Sequence, residues 1–430
     1  MAANDNNYFR AQETFLEKYE LPQGWSFSKL GDIATFITRD YHFRKDNNFR
    51  EQIGHEYHQG NHYFTEKYIS PSGVFVKGNF EPIVANSVIM TNCAPVGMVN
   101  INTRAICIGK RLCAIAPAIG ITVDLIFYWL MAFRDYFIER QKGTTVKHIT
   151  LNDVKSLIVP VPPPLEQPII TARLDYLFSI INSIETVKNE LTRISSNIKA
   201  NTLSLAVRGI LTTRDSNEES ARVFLETINP FNRVQATESS INIINENNYR
   251  DAKYSFYNKL PIGWALASLK KIAKITRGRL VSPVNLSNNP TGYEFHQGKT
   301  YFTDKYLAVS GIYAKTPPVI SPANSVLLSA VGNLLGDVNI TDREIGIGSA
   351  LWVIYPFAGI SPEFIFYWLT YFKDYFKARQ KGSTIKYITN YDVNSLVLPL
   401  PPLAEQTRIL KKINDSFSLT QKMDSILSRL

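Results

Sequence analysis

Cysteine is scarce in this chain: Cys93, Cys107 and Cys113 are the only three in 430 residues, and all stand in the first half. Thiols so few, without counterparts further on, exclude a disulfide-stapled scaffold and read as reduced residues of a cytoplasmic protein. Negative charge is short as well. With 37 acidic against 47 basic residues the formal charge is +10 and the pI about 9.2, which favours a polyanionic partner without separating nucleic acid, ribosome and anionic lipid. The opening MAANDNNYFRAQETFLEKYE has no apolar core, so no secretory signal is expected there. The stretch that comes nearest to a membrane span, LCAIAPAIGITVDLIFYWLMAF at 112–133, is interrupted by Pro117, Gly120 and Asp124. It reads better as a buried strand, a turn and a helix capped by Thr122; its later match at 351–372 offers Ser361 as cap and Pro362 at the first helical position. No membrane association is expected.

Catalytic signatures are missing too. GYEFHQGKTYF at 292–302 has Gly298-Lys299-Thr300 in the order of a phosphate-binding loop, but five residues separate Gly292 from Gly298 where that loop needs four. The following YFTDKY reads as strand or loop, not as the helix a phosphate site requires. Amino-methyltransferases place Asn, Asp or Ser before Pro-Pro and an aromatic; Asn229-Pro230-Phe231 falls one proline short. No glycine-rich cofactor loop and no duplicated pair of nuclease carboxylates is found. His55, His58 and His62 lie close enough to suggest a metal, yet the second half keeps only His296, with Tyr293 and Thr300 in the other places, so no metal is expected.

What the chain does contain is a copy of itself. GHEYHQGNHYFTEKY at 54–68 and GYEFHQGKTYFTDKY at 292–306 agree at ten of fifteen positions, and neither the Lys nor the Thr of the apparent phosphate loop is among them. LPQGW at 21–25 answers LPIGW at 261–265, Asn100 in Val-Asn-Ile answers Asn339, and 126–160 matches 365–399 at 22 of 35 positions. A period near 239 residues is far too long for a solenoid and means two duplicated domains. Each half opens with short β-rich runs, continues into an amphipathic helix, passes through QKGTTVKHIT or QKGSTIKYIT, and ends in a short strand and a proline run.

After PVPPPLEQ the pattern changes. From Leu165 to Arg208 there is no glycine, and Ile170, Leu174, Leu177, Ile181, Ile184, Val187, Leu191, Ile194 and Ile198 recur at steps of three and four. That is a long helix with a coiled-coil seam, about 66 Å if all 44 residues are helical. PLPPLAEQ opens an equivalent helix with Ile409, Ile413, Phe417, Met423 and Ile426. A lone seam helix cannot bury its stripe, so the two are expected to pack on each other. The polar stretch 211–255 reads as a connector holding one short helix, ARVFLETI.

These features together resemble the DNA specificity subunits of type I restriction–modification enzymes. The resemblance rests on LPxGW opening each half, GTTVKHIT and GSTIKYIT closing each unit, PPPLEQ and PPLAEQ leading into long helices, and GILTTRDSNEESARVFLETI after the first helix. It implies an α+β fold: two duplicated α/β target-recognition domains separated by long helices that pair as an antiparallel coiled coil. The expected limits are 1–160 for the first recognition domain, 161–210 for the central helix, 211–255 for the connector, 256–400 for the second recognition domain and 401–430 for the C-terminal helix. It further implies a non-catalytic protein that binds double-stranded DNA at a bipartite site and docks two methyltransferase subunits and restriction or translocase subunits. S-adenosylmethionine, ATP and Mg would then belong to the partners only. The competing readings are a self-contained nucleotide-dependent DNA enzyme and a coiled-coil adaptor without a DNA role.

Base edges are read by Gln, Asn, Arg, Lys, His, Ser and Thr presented on loops. His58 with Gln59 and His296 with Gln297 stand beside glycines where backbone can approach DNA closely. Lys142, Thr144, Thr145 and Lys147, and Lys381, Ser383, Thr384 and Lys386, combine cations with hydroxyls suited to phosphate. Arg39, Lys67, Asn92, Arg277, Lys299, Lys305 and Asn333 complete the candidate DNA contacts. HisGlnGly and Val-Asn-Ile, shared by both halves, are assigned to reading loops, so the half-sites are expected to share inverted bases. Discrimination is assigned to the divergent stretches 39–53 against 277–291 and 91–97 against 329–336.

Overall fold

Each half of the duplication folds around its own four-stranded antiparallel sheet. The computed structural model describes residues 20–39, 54–76, 80–215, 217–228, 252–332 and 335–429, and it divides into two compact units, 1–185 and 186–430. The candidate Asn333 and most of the divergent stretch 39–53 lie outside the described residues.

The first unit contains strands β1 (Ser26–Lys29), β2 (Ala34–Thr38), β3 (His55–His58), β4 (Phe75–Val76), β5 (Ser87–Thr91), β6 (Val99–Asn102), β7 (Ile106–Ile108), β8 (Leu112–Pro117) and β9 (Ile158–Val161). Its helices are α1 (Leu30–Ile33), α2 (Val123–Ala132), α3 (Arg134–Glu139), α4 (Leu151–Lys155) and the start of α5 (Gln167–Val207). The main sheet has the order β2-β8-β5-β6, a small sheet has the order β4-β3-β7 with β3 and β7 parallel, and β1 pairs with β9. Strand periodicity explains the layering. On β5, Val88 and Met90 point to one side, where they meet α2 through Leu125, Ile126 and Trp129. Ile89, between them, points to the other side and packs with Ile69 and Ile83 and with Ile106 and Ile108 of the small sheet. All five residues of β5 are therefore buried.

The second unit repeats this plan with α6 (Ala221–Ile228), β10 (Ala265–Ser268), α7 (Leu269–Ile272), β11 (Ala273–Arg277), β12 (Leu286–Ser287), β13 (Tyr293–His296), β14 (Tyr313–Ala314), β15 (Ile320–Ser321), β16 (Ser325–Ser329), β17 (Val338–Thr341), β18 (Ile345–Ile347) and β19 (Leu351–Pro356). It closes with α8 (Pro362–Tyr371), α9 (Lys373–Ala378), α10 (Asn390–Asn394), β20 (Val397–Leu400) and α11 (Leu403–Leu427). Val326 and Leu328 face α8, while Leu327 faces Ile345, Ile347 and Leu351, the same division as on β5. The apolar stretch 112–133 is strand, turn and helix as its sequence suggests. Ser361 caps α8 by accepting from Glu363 N at 3.2 Å. Thr122 does not cap α2 with its hydroxyl; its N–H is taken instead by Gln167 Oε1 at 2.9 Å.

The sequence motifs hold each unit's ends together. Trp25 Nε1 of LPQGW donates to Glu166 Oε2 of PPPLEQ at 3.0 Å, and Trp264 Nε1 donates to Glu405 Oε2 at 3.0 Å. Buried Gln167 donates to Gly120 O and Pro162 O, and Gln406 donates to Pro401 O. Within the second unit the end of α5 runs antiparallel to α11: Lys199 Nζ reaches Asp424 Oδ2 at 2.8 Å, Thr202 Oγ1 meets Ser416 Oγ at 3.1 Å, and Thr212 Oγ1 donates to Glu405 Oε1 at 3.0 Å. The expected apolar seam is only partly formed. Ile409 and Ile413 sink into the second unit's core, because α11 docks there against β-sheet and α8, while Leu177, Ile181, Ile184 and Val187 of α5 are exposed.

Val-Asn-Ile proves to be framework. Asn100, fully buried on β6, accepts from Thr65 N at 2.8 Å and donates to Thr65 O at 2.9 Å, and Asn339 makes the same two bonds with Thr303 at 3.2 and 2.8 Å. The shared residues thus pin a loop and do not read DNA. Asn100→Ala leaves two polar backbone groups without partners and is expected to lower the stability of the chain by about 2–4 kcal/mol, measured by urea unfolding.

Candidate nucleic-acid interface

A glutamate beneath the loops, buried at Glu56 and nearly so at Glu294, organises the loop region of each unit. Glu56 on β3 accepts from Arg104 Nε and from Ser72 N. Glu294 on β13 accepts from Arg343 Nε at 2.7 Å and Ser310 N at 2.6 Å. Burial pushes the Glu294 carboxyl up, but Arg343, Ser310 N–H and His296 outweigh it and hold it down at about 2. The imidazoles follow this frame. His58 and His296 are 0% and 1% exposed, each set edge-on against a tyrosine ring at 5.6 Å, Tyr63 and Tyr301. His296 Nε2 meets Glu294 Oε1 at 2.9 Å. Their rings do not reach the surface, which corrects the expectation that they touch DNA: each closes a strand paired with an apolar one, His58 opposite Ile108 of β7 and His296 opposite Ile347 of β18. The adjacent Gln59 and Gln297 are exposed.

Backbone from the two histidines then places a turn. His58 O accepts from Gly109 N, and His296 O accepts from Gly348 N, both at 2.8 Å. Leu112 N closes on Gly109 O at 3.0 Å, as Leu351 N does on Gly348 O at 3.1 Å. Residues 109–111 and 348–350 were passed over by sequence reasoning. The signal available was GKRL against GSAL, a divergent pair inside a matching frame.

The next loop joins this turn to the QKGTTVKH hairpin. Asn92 N donates to Arg111 O at 3.0 Å, Asn92 Nδ2 to Lys110 O at 3.2 Å, and Ile149 N donates to Asn92 O at 2.9 Å. In the second unit Ala330 fills the same place, with Ala330 N on Ala350 O at 2.9 Å and Ile388 N on Ala330 O at 3.1 Å. The hairpins are closed by paired backbone bonds, Lys142 with His148 at 2.8 and 3.0 Å and Lys381 with Tyr387 at 2.8 and 2.9 Å. Gly143 at φ +96° admits no side chain, since a Cβ would stand 2.5 Å from Val146 O. Lys142, Thr144, Thr145, Lys147, Lys381, Ser383 and Thr384 are all exposed, and Lys386 is half-buried. Turn, loop and hairpin therefore form one polar patch in each unit.

The remaining candidates divide. Arg277 is exposed, its guanidinium 5.7 Å from the Trp352 ring centre. Arg39 Nη2 is engaged by Glu81 Oε2 at 2.6 Å. Lys299 is paired with Asp337, so it is no free phosphate ligand, and the residues after it form a short 3-10 turn. Lys67 lies between Asp124 and Asp175, the latter also taking the Tyr128 hydroxyl. Lys305 is held by Glu363 and Asn414. Lys67 and Lys305 are thus engaged by side chains that tie the loop to α2 and α5, or to α8 and α11. Among the described residues no group of three or more His, Cys, Asp or Glu stands close enough to hold a metal, and no helix is long and apolar enough to cross a membrane.

Comparison with known proteins returns the same pattern twice. The family described as type I restriction modification DNA specificity domain matches residues 22–193 and 261–426. A putative type I restriction enzyme MjaX specificity subunit of Methanocaldococcus jannaschii is 31% identical over 186 residues, 40% of this chain and 42% of that one. The type I restriction enzyme EcoDI specificity subunit of Escherichia coli is 22% identical over 69% of this chain and 63% of its own length. The chain thus spans 42% and 63% of these two curated relatives. The MjaVIII specificity subunit of M. jannaschii is 19% identical over 96% of this chain and 92% of its own. In fold, a chain solved in work on complex assembly and conformational transition of the type I R-M system superposes with a TM-score of 0.64 at 18% identity, covering 96% of both. The HsdS subunit from Thermoanaerobacter tengcongensis gives 0.51 at 19% identity, covering 96% of this chain and 92% of that one.

Burial pushes the His58 imidazole down to about 4, against the pull of the neighbouring Glu56 carboxylate. The unfolded ring, with its ordinary value near 6.5, binds a proton that the folded ring refuses. His58 therefore contributes stability above pH 6.5 that is lost as pH falls towards 4, by up to about 3 kcal/mol. Unfolding free energies measured across this window are expected to show that slope and to lose it in His58→Leu. The depressed carboxylate of Glu294 acts lower, its contribution falling away between about 4.5 and about 2.

Proposed function

The chain belongs to the family of type I restriction–modification DNA specificity proteins, and from that premise we propose that it reads a bipartite site on double-stranded DNA, one half per recognition unit, and brings catalytic partners to it. The observation that carries this reading is the duplicated patch: two units of one plan, each presenting a stiff hairpin of exposed cations and hydroxyls beside a polar turn. Such hairpins suit phosphate oxygens, which fix register on the duplex, while neighbouring side chains meet base edges. The partners are two DNA methyltransferase subunits and restriction or translocase subunits, which bring S-adenosylmethionine, ATP and Mg with them. The chain itself is a non-catalytic, cytoplasmic protein. The engagement of Lys299 by Asp337 counts against the nucleotide-driven alternative.

Mapping methylated bases genome-wide in cells that carry the chain with its partner subunits tests the reading; a bipartite motif that vanishes when this chain alone is deleted is expected, and methylation independent of the chain would refute it. Lys142→Ala and Lys381→Ala are each expected to weaken binding evenly across sequences and to reduce the slope of log K against log salt by about 1. The exposed stretch of α5 near Ile184 is proposed to set the gap between half-sites. Four residues inserted after Glu185, about 6 Å of helix, are expected to lengthen the gap by about one or two base pairs; an unchanged gap with tight binding would sink the idea.

A further inference from the structure

Two turns with one backbone carry different side chains. Gly109-Lys110-Arg111 and Gly348-Ser349-Ala350 are fixed by the same bonds: to a histidine carbonyl at the first residue, to the following leucine, and from the next loop onto the third residue's carbonyl. What the frame presents is not the same. In the first unit Lys110 and Arg111 are exposed, and Asn92 lies under them with its amide on Lys110 O. Among the described residues neither cation has an acidic partner, in contrast to Arg39, Lys67, Lys299 and Lys305. In the second unit Ser349, Ala350 and Ala330 occupy these three places, and Gln297 Nε2 donates to Ser349 Oγ at 3.3 Å. The difference amounts to two positive charges and an amide on an otherwise shared surface, beside a glutamine common to both units.

Resting on the DNA-reading function above, we propose that this turn determines the base preference of each half-site, with Arg111 and Lys110 reading guanine in the first and Ser349 with Ala350 meeting a different base at the corresponding place in the second. The chemistry is selective in that direction. A guanidinium presents paired donors that match the O6 and N7 acceptors of guanine, and an ammonium can reach the same edge. A serine hydroxyl accommodates either a donor or an acceptor, and an alanine methyl favours the methyl group of thymine. A turn whose backbone is bonded at its first and third residues holds such side chains at fixed height, so a substitution changes the contact without moving the frame. Position also favours the assignment, since Asn92 and Ala330 connect each turn directly to a hairpin assigned to phosphate.

The test exchanges the pairs in the full chain, assembled with its partner subunits. Lys110→Ser with Arg111→Ala is made in one variant and Ser349→Lys with Ala350→Arg in another; all four positions lie on the surface or half-exposed turn, and far-ultraviolet circular dichroism and unfolding curves check that the fold is kept. Methylated-base mapping is expected to show the first variant altered or relaxed at one or two base positions of one half-site, with the other half-site and the gap unchanged. Affinity for the original site is expected to fall by about 10-fold to 100-fold. The second variant should alter the opposite half-site. An unchanged motif with affinity within about twofold overturns the proposal, and so does a uniform loss across all sequences with a salt slope lower by about 2, which would mean phosphate contact only. Either failure leaves a methylation motif that depends on the unmodified chain, whereas the absence of any such motif is the separate failure of the DNA-reading function.

Discussion

One carboxylate beneath the loops of each unit is the constraint on which the surface depends. Withdrawal from water disfavours the charge of Glu56 and Glu294 there, and the guanidinium of Arg104 or Arg343 with a backbone N–H from Ser72 or Ser310 offsets it. In holding those groups they fix strands β3 and β13, the histidines at their ends, and through the histidine carbonyls the turns at 109 and 348. Removing one partner of such a set costs far more than the set contributes net, because the other charge is left stranded. The arrangement therefore secures the geometry of the surface loops more than stability.

The second level of constraint ties loops to helices. Lys67 with Asp124, Tyr128 and Asp175, and Lys305 with Glu363, Tyr367 and Asn414, are the same four-membered cluster built twice with one carboxylate exchanged for an amide. Each draws the loop after the exposed glutamine onto a recognition-domain helix and onto a long helix. The shared lysine thus serves docking, a role the divergent loop residues do not share. Duplication separates frame from surface: both copies keep the frame, and they differ in the loop residues they present.

Much of the architecture was legible in the chain itself. The internal match announced two domains of one plan, the glycine-free run from Leu165 announced the long helix, and Pro117 and Gly120 announced a strand and turn in place of a membrane span. The site was legible only in part. The hairpins at 142–148 and 381–387 stood out because cations, hydroxyls and glycine coincide locally. His58 and His296 misled, and Lys67 and Lys305 are paired, because a repeated polar residue can be repeated for structure as well as for binding. Their partners lie far along the chain, Asp175 at 108 residues from Lys67 and Glu363 at 58 from Lys305. Pairings at such separations are set by tertiary packing, which no local pattern reports. The turn at 109–111 was missed for the opposite reason, since three residues between two strands carry too little pattern to stand out.

The indole bonds of Trp25 and Trp264, together with the pairing of β1 with β9 and of β10 with β20, bring the first and last strands of each unit side by side. A unit whose two ends meet at one point behaves as a cassette. Its copying needs only two adjacent junctions, while the residues that dock it on the long helices, Lys67 on Asp175 and Lys305 on Asn414, have to be kept with it. The chain already holds one product of such copying, and the stapled ends explain why its two copies tolerate different loops while each stays a closed body.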